Sequence, residues 1–241
     1  MKMSNKVPKV SEIDFKDLKF STVKKNALRP FASVFHNKNK LQIQLPKLKL
    51  PFGINKNQSN QLVCDLSLGD NTELIDQLKG LDAQMIEHAF ENKNTWFKNE
   101  VSKESITESY FPFVKMSKDG NYPPTVRVKL IFYDQKQTFD IYDNVKGDNG
   151  EYPLISMENE QYVQERIKAR SLLRCLVECS GLWISNNQVT GGMSWGLTWK
   201  LVQAKYYPPP PPEPVEIEKE QECLFISSGS ESESELEEDS R

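Results

Sequence analysis

Histidine and cysteine are scarce in this sequence, and their scarcity restricts its chemistry. The 241 residues include only two histidines, His36 and His88, which leaves little capacity for histidine-based acid–base catalysis. The four cysteines form no CxxC pair and lie far from both histidines, so a zinc site built from two closely spaced ligand pairs is not expected. Cys175 and Cys179 stand among apolar residues, which favours buried free thiols in a reducing compartment.

Long apolar runs and enzyme signatures are also absent. No stretch approaches the ~18 consecutive apolar residues of a membrane span, and the N-terminus lacks the apolar core of a secretory signal. We therefore expect an intracellular protein with no membrane partner. The sequence has no phosphate-binding glycine loop ending in Lys-Ser/Thr, no GxSxG, no HExxH and no zinc-deaminase pattern. These absences predict no catalytic residue, metal or cofactor, although a carboxylate-based nuclease with ligands far apart in sequence stays open as an alternative.

Charge is distributed very unevenly along the chain. Residues 206–241 contain eleven acidic and two basic side chains, a net charge of -9, so residues 1–205 carry +6 of the total of -3. A basic body with an acidic tail is typical of polyanion-binding proteins, although unrelated proteins share it.

The C-terminal region shows no pattern of a folded domain. Five prolines at 208–212 predict a semi-rigid polyproline II spacer. Residues 213–241 are too acidic and too poor in apolar side chains to bury a core, and we predict a disordered acidic tail. Within it, Leu224, Phe225 and Ile226 precede alternating serines and acids. This triplet predicts a partner-binding strand, and the segment resembles acidic SUMO-interacting motifs and substrates of acidophilic kinases.

Periodicity in residues 31–207 indicates a β-rich α+β domain, with residues 1–30 as a basic N-terminal arm or edge element. Two segments have helical spacing, at 70–92 and 158–170, and Asp70 with Glu73 predicts a capping box for the first. The remaining periodic segments alternate with period two. Strands are predicted at 41–45, 62–68, 126–133, 139–141, 171–185 and 193–206. Prolines 46 and 51 predict an edge or a loop after the first of them.

The strand at 126–133 carries the first candidate binding residues. If Val126 and Val128 face the core, the pleat places Arg127, Lys129 and Tyr133 together on the other face. Such a face offers cations for phosphates and a ring for a base, as in proteins that bind single strands. A solvated outer face with one tyrosine is the alternative interpretation.

The tryptophans and arginines add further candidates. Trp195 and Trp199 share an apolar face and are predicted to be core residues, whereas Trp183 points away from its apolar neighbours and is the better candidate for an exposed ring. Arg170 and Arg174 would continue a basic stripe from the second helix if that helix extended so far. The alternative is a solvated helix face whose arginines pair with nearby glutamates.

The segments Gly181-Leu-Trp-Ile184 and Trp195-Gly-Leu-Thr-Trp-Lys-Leu-Val-Gln203 resemble a pattern in single-stranded-DNA-binding proteins of nucleocytoplasmic large DNA viruses, of the phycodnavirus and giant-virus type. The resemblance covers only this part of the domain. It implies an OB-like barrel that coats replication intermediates without sequence preference. Together with the strand pattern, it predicts an antiparallel OB-like barrel or sheet with one or two amphipathic helices. It also carries over Trp183, Trp199, Lys200 and Gln203 as motif positions, without deciding whether they contact DNA or pack the fold.

The sequence therefore predicts sequence-independent binding of a single strand, DNA or RNA, in viral DNA replication. The predicted binding residues are Arg127, Lys129, Tyr133, Arg170, Arg174, Trp183, Lys200 and Lys205. The acidic tail would compete for the binding groove or recruit replication proteins, and the location would be the host cytoplasm or the virion. The alternative is a viral structural or interaction protein that acts through its tail and does not bind nucleic acid.

Overall fold

The computed structural model describes residues 6–23, 30–98, 100–186 and 192–211. The chain divides into two units, Met1–Pro210 and Pro211–Arg241, and almost all described residues belong to the first. The described strands, in chain order, are β1 (Lys19–Phe20), β2 (Phe31–Ala32), β3 (Val34–His36), β4 (Asn39–Lys40), β5 (Gln42–Leu50), β6 (Ile54–Lys56), β7 (Leu62–Ser67), β8 (Tyr110–Phe111), β9 (Val114–Lys115), β10 (Thr125–Lys129), β11 (Phe132–Tyr133), β12 (Lys136–Gln137), β13 (Asp140–Asp143), β14 (Ser171–Asn186) and β15 (Met193–Tyr207).

Five of these strands close into a barrel. Their order around it is β15, β10, β7, β5 and β14, and β14 pairs again with β15 along almost its whole length. Four of the five neighbouring pairs are antiparallel, and β10 and β15 are parallel. A five-stranded barrel of this kind is the architecture of the OB fold. The β-rich α+β class and the OB-like barrel are thus confirmed, with a mixed rather than a purely antiparallel sheet.

Proline 46 does not interrupt the barrel, contrary to the expectation of an edge or a loop. Strand β5 runs through it from Gln42 to Leu50. Opposite Pro46 the pairing shifts register, because Gln44 pairs with Leu176 and Lys47 with Arg174. Two β5 residues therefore face one residue of β14. Such a bulge tolerates a residue that has no N–H to donate to the ladder.

The two predicted helices form, and two short ones accompany them. The described helices are α1 (Thr72–Glu91), α2 (Lys93–Trp96), α3 (Lys103–Glu108) and α4 (Glu160–Arg166). Helix α1 buries Leu74, Leu78, Leu81, Met85 and Ala89, as its spacing predicted. Its N-cap is Asn71 rather than Asp70, because the Asn71 Oδ1 accepts a hydrogen bond from the Leu74 N–H at 3.1 Å. Among the described residues, no helix is both long and apolar enough to cross a membrane.

The predicted strand from 126 to 133 is broken after Lys129. Strand β10 ends there, and Phe132–Tyr133 pairs instead with Lys136–Gln137 in a small separate hairpin. Asp134 and Gln135 both have positive φ, as the central residues of a tight two-residue hairpin turn require. Residues 140–143 also do not pair with β10, because β13 lies parallel to β15.

The barrel interior and the packing around it form one core. Trp195 and Trp199 are fully buried, which confirms their assignment to the core. Cys64, Cys175 and Cys179 are buried free thiols, and burial raises the pKa of Cys175 to about 12. Unreactive thiols of this kind fit a structural role. The described N-terminal residues also pack on this core through five buried side chains: Val10, Ile13, Phe15, Leu18 and Val23.

Candidate nucleic-acid interface

Three aromatic side chains lie in register across four neighbouring strands at one end of the β14–β15 hairpin. Phe31 on β2 pairs with Trp183 on β14, Trp183 pairs with Gly196 on β15, and Gly196 pairs with Phe111 on β8. We call Phe31, Trp183 and Phe111 the aromatic row. Phe31 and Phe111 are 47% and 57% exposed, and Trp183 is half-buried. Large rings left open to solvent in this way are available to a ligand.

Two glycines allow the rings of the aromatic row to lie against the strands. A Cβ atom at Gly196 would stand 2.8 Å from the Phe111 carbonyl oxygen and 3.4 Å from the Trp183 ring. At Gly181, it would contact the Phe31 ring and lie 2.6 Å from the Ala32 carbonyl oxygen. Without these side chains, the Phe111 and Trp183 rings approach to 5.6 Å between centroids. Glycine inside a strand often marks such a close approach.

Cations complete a groove of about 790 Å³ beside the aromatic row. Lys115, Arg127 and Lys129 project into it from β9 and β10, and Asn57 and Ser59 contribute from the connection between β6 and β7. Arg127 and Lys129 share the outward face of β10, because Val126 and Val128, which alternate with them, are buried. The groove therefore places three positive side chains next to three rings.

Only part of this positive charge is neutralised within the protein. Arg127 donates two hydrogen bonds to Asp65, from Nε to Oδ1 and from Nη2 to Oδ2, each 2.7 Å long, and this pairing raises the pKa of Arg127. Lys115 and Lys129 have no ion-pair partner among the described residues. Burial lowers the pKa of both lysines, and the charge of Arg127 lowers that of Lys115 further. An anion in the groove would relieve this repulsion.

A buried carboxylate holds the segment that carries Phe111 and Lys115. Asp82 on α1 accepts hydrogen bonds from the Tyr110 hydroxyl at 2.7 Å, the Phe113 N–H at 2.8 Å and the Val114 N–H at 3.1 Å. Burial raises the pKa of Asp82, although these three hydrogen bonds oppose that shift. Helix α1 thereby fixes the position of the β8–β9 segment on the barrel.

Comparisons with protein-family models and with curated proteins find no match. Among solved structures, the chain is similar to the single-stranded DNA-binding protein from bacteriophage Enc34, with 12% identity, a TM-score of 0.38 and coverage of 82% of this chain and 96% of that one. A C-terminal truncation of that protein gives 10% identity, a TM-score of 0.40 and coverage of 81% and 97%. The structure of that protein in complex with single-stranded DNA gives 12% identity and a TM-score of 0.37, and the match covers 78% of this chain and 94% of that one. Such low TM-scores leave the barrel and the groove to be judged from this chain's own strands and residues.

Three of the residues predicted from sequence meet in the groove. Arg127, Lys129 and Trp183 all contribute to it. Lys200 lies next to Lys129 across the parallel pairing of β10 and β15. Its ammonium group is 3.1 Å from Glu178, with which Lys200 forms an ion pair beside the groove.

Tyr133 and Arg170 lie elsewhere, and both corrections have a local cause. The break after Lys129 moves Tyr133 to the β11–β12 hairpin, where its side chain is 72% exposed. Helix α4 ends at Arg166, so no basic stripe continues to Arg170. Arg170 instead has a φ of 66° in the turn before β14, and its N–H donates to the Leu50 carbonyl.

Arg174 and Lys205 face outward near the other end of the β14–β15 hairpin. They pair with each other in register, nine positions from Trp183 and Gly196 respectively. The structure therefore does not bring them into the groove. Leu224, Phe225 and Ile226 lie outside the described residues, as does the acidic tail from residue 213 onward.

Sequence reasoning missed Phe31, Phe111 and Lys115. These residues are far from Trp183 in sequence and reach it only through strand pairing. One signal was present: Gly181 and Gly196 interrupt strands that are otherwise rich in large side chains. A glycine at such a position indicates that something packs against the backbone, but it does not identify what. Among the described residues, no group of three or more His, Cys, Asp or Glu side chains is placed to hold a metal ion.

Proposed function

We propose that this protein binds single-stranded DNA without sequence preference, in the groove beside the aromatic row. The observation that carries the proposal is the combination of open rings and incompletely neutralised cations in one groove. Proteins that bind single strands use a positive groove for the backbone and aromatic rings for the bases. Every base has a π-face, so stacking of this kind does not select a sequence.

The position of the groove on the barrel supports the same proposal. Strands β7 and β10 are the second and third barrel strands in chain order, and Arg127 and Lys129 lie on their outer face. OB folds bind oligonucleotides on this face and at the loop between the first two strands, which here contributes Asn57 and Ser59. In the proposed complex, Lys115 and Lys129 contact phosphates while Trp183 and Phe111 stack on bases.

We place this activity in viral DNA replication, on the basis of the sequence resemblance of residues 181–203. The tail, with its net charge of -9, would compete with the strand for the basic domain or recruit replication proteins. Competition predicts tighter binding after removal of residues 213–241. An oligonucleotide titration of the full and the shortened chain measures this difference.

A binding titration with matched aromatic variants tests the function itself. We expect the full chain to bind a labelled single strand at low salt and to lose affinity steeply as salt rises. Trp183→Ala should weaken binding by ~1–3 kcal/mol, the usual contribution of one base–aromatic stack. Fluorescence anisotropy with single-stranded DNA, duplex DNA and RNA would measure both effects and rank the three ligands.

Tyr133→Ala is the control for that experiment. It also removes an exposed ring, but one that lies outside the groove, so we expect unchanged affinity. Equal losses for Trp183→Ala and Tyr133→Ala would contradict the assignment of the groove. Absence of binding at low salt, by the full chain and by a chain ending at Tyr207, would contradict the proposed function.

A further inference from the structure

Three cations lie side by side near the other end of the β14–β15 hairpin. Arg174 on β14 pairs in register with Lys47 on β5 on one side and with Lys205 on β15 on the other. Neighbouring strands lie ~4.8 Å apart, so the three side chains span ~10 Å. We call Lys47, Arg174 and Lys205 the cationic row.

No acid neutralises this row among the described residues. None of the three side chains has an ion pair there, and the nearest polar partner of Arg174 is neutral. With its amide oxygen facing the guanidinium, Gln44 accepts from the Arg174 Nε at 3.1 Å. Like charges directly opposite each other destabilise a sheet. An arrangement that costs stability without an internal counter-charge is suited to an external anion.

The aromatic rings of this region are already engaged by the lysines. The Lys205 ammonium lies 3.1 Å from the centroid of the Tyr152 ring, and the Lys47 ammonium lies 5.0 Å from that of Tyr207. Each cation–π contact holds the ammonium group in place and occupies one face of the ring. The cationic row therefore offers positive charge beside rings that already carry a lysine on one face.

Open surface on both sides of Arg174 makes the row accessible. A cavity of about 600 Å³ borders Arg174 and Lys205, and one of about 520 Å³ borders Arg174 and Lys47. Their polar linings also include Glu151 on the first side and Glu73 on the second. Three adjacent cations outnumber these two acids, so the surface favours an extended anion with several charges.

The row and the groove lie on the same outer surface of the hairpin. Arg174 and Trp183 are nine positions apart, which corresponds to ~30 Å at ~3.3 Å per residue. Between them, Glu178 is held by Lys200 at 3.1 Å, Lys40 at 3.7 Å and Gln42 at 2.7 Å. Two lysines thus share this one carboxylate. Adjacent charges of a stacked, helical strand are ~3.4 Å apart along its axis, so a strand that kept this rise would cross the path in about nine nucleotides and an extended strand in fewer.

We infer that the cationic row is a second contact for the same single strand, one that binds phosphates but not bases. This inference rests on the proposed function of the groove and extends it. A short oligonucleotide fills the groove alone. A long one leaves the groove along β14 and β15 and reaches Lys47, Arg174 and Lys205 with its phosphodiester backbone.

An oligonucleotide length series tests this division of roles. The full chain carrying Lys47→Gln, Arg174→Gln and Lys205→Gln is titrated with oligothymidine of about 6 and about 20 nucleotides, lengths within and beyond one OB site. We expect about tenfold weaker binding of the long strand at low salt and unchanged binding of the short one. The log–log salt slope for the long strand should fall by about 2, because each phosphate contact contributes about 0.7.

Two controls keep the outcomes distinct. Lys16→Gln, Lys79→Gln and Lys98→Gln together remove the same charge from exposed positions outside both surfaces, and should leave both affinities unchanged. Unchanged short-strand binding also shows that the row variant is folded. If that variant does not fold, Arg174→Gln alone should still show a smaller, length-dependent loss.

Wild-type binding of the long strand by the row variant would overturn the inference and leave the proposed function intact. Equal losses for both lengths would overturn it as well, because the row would then act on the groove itself. Failure of the unaltered chain to bind either length would instead overturn the proposed function. If Trp183→Ala binds normally while the row variant loses affinity, the assignment of the groove as the binding site would be overturned, and the cationic row would remain a contact for the strand.

Discussion

The aromatic row and the cationic row cross the same two strands, yet they present opposite surfaces. In the aromatic row, Gly181 and Gly196 lower the surface so that rings lie open beside the groove. In the cationic row, lysines lie over one face of the Tyr152 and Tyr207 rings. Both regions are basic and aromatic in composition. What distinguishes them is whether a lysine of the row lies over the ring.

This difference teaches that composition is a poor guide to how a basic aromatic surface binds. A free ring beside a cation can stack on a base while the cation contacts a phosphate. A ring that has a lysine on its face holds that charge in position for a phosphate. Substitutions should therefore affect the two rows in different ways, in their ring dependence and in their dependence on strand length.

The largest effect is expected from closing the space in which the aromatic row lies. Gly181→Ala places a Cβ against the Phe31 ring and the Ala32 carbonyl oxygen, at a φ of 155° that L-residues rarely adopt. We expect ~1–3 kcal/mol of destabilisation from overpacking and weaker binding of short strands. Thermal unfolding and anisotropy with a short oligonucleotide measure the two effects. Gly120→Ala is the control, because its positive φ lies in a turn where a Cβ has no neighbour within 4 Å. A similar affinity loss there would indicate backbone strain alone.

Loosening the support of Phe111 should have the next largest effect. In Asp82→Asn, only one side-chain oxygen remains to accept the three hydrogen bonds from the 110–114 segment. Leaving a buried donor unpaired costs about 1–3 kcal/mol, and we expect a comparable loss of stability with weaker short-strand binding. Chemical denaturation measures the stability. Unaltered affinity would show that Phe111 does not need this support to bind.

Protonation provides a further test of Asp82. Its folded pKa is raised by burial, so its ionised form is disfavoured in the fold, and this unfavourable contribution grows as pH rises through the folded pKa. Asp82→Asn removes the titration. The stability difference between the wild type and Asp82→Asn should therefore change with pH above the ordinary aspartate range. Denaturation curves at several pH values would show it, and a constant difference would contradict the shift.

The smallest effect is expected between the two rows. Glu178→Gln removes a largely buried negative charge while keeping the shape of the side chain, and it frees the charges of Lys40 and Lys200. It should tighten long-strand binding by about 0.2–1 kcal/mol, the usual size of one surface charge interaction. Short-strand affinity should change less. Glu165→Gln on the exposed surface of α4 is the matched control. Equal gains in both variants would indicate a general charge effect rather than a path.

The same carboxyl group contributes to stability in the opposite pH direction from Asp82. Burial would raise the pKa of Glu178, but hydrogen bonds from Gln42 and Lys200 and the charges of Lys200 and Lys40 outweigh burial and lower it. This contribution is present above the unfolded pKa and is lost as pH falls through the folded pKa. Acidification should thus reduce the stability difference between the wild type and Glu178→Gln.

How much could be predicted from sequence depended on the range of the interactions involved. The core positions of α1 and the inward faces of Trp195 and Trp199 follow from periodicity, which adjacent residues encode. The path of β5 through Pro46 did not, because the bulge that tolerates this proline depends on the pairing with β14. The break after Lys129 was missed for a similar reason. Thr125–Lys129 pairs with β7 and β15 in the barrel, whereas Phe132–Tyr133 pairs with Lys136–Gln137 in a separate hairpin, and an alternating pattern does not distinguish these partners.

The sequence by itself determined the charge division of the chain, the β-rich α+β class and the outward direction of Trp183, because composition and alternation are local properties. Tertiary structure decided which side chains meet. Phe31, Phe111 and Trp183 come from three distant segments and are aligned only by strand register. The same holds for Lys47, Arg174 and Lys205. Register results from closing the whole barrel, so no single segment could have shown that this hairpin carries two surfaces rather than one.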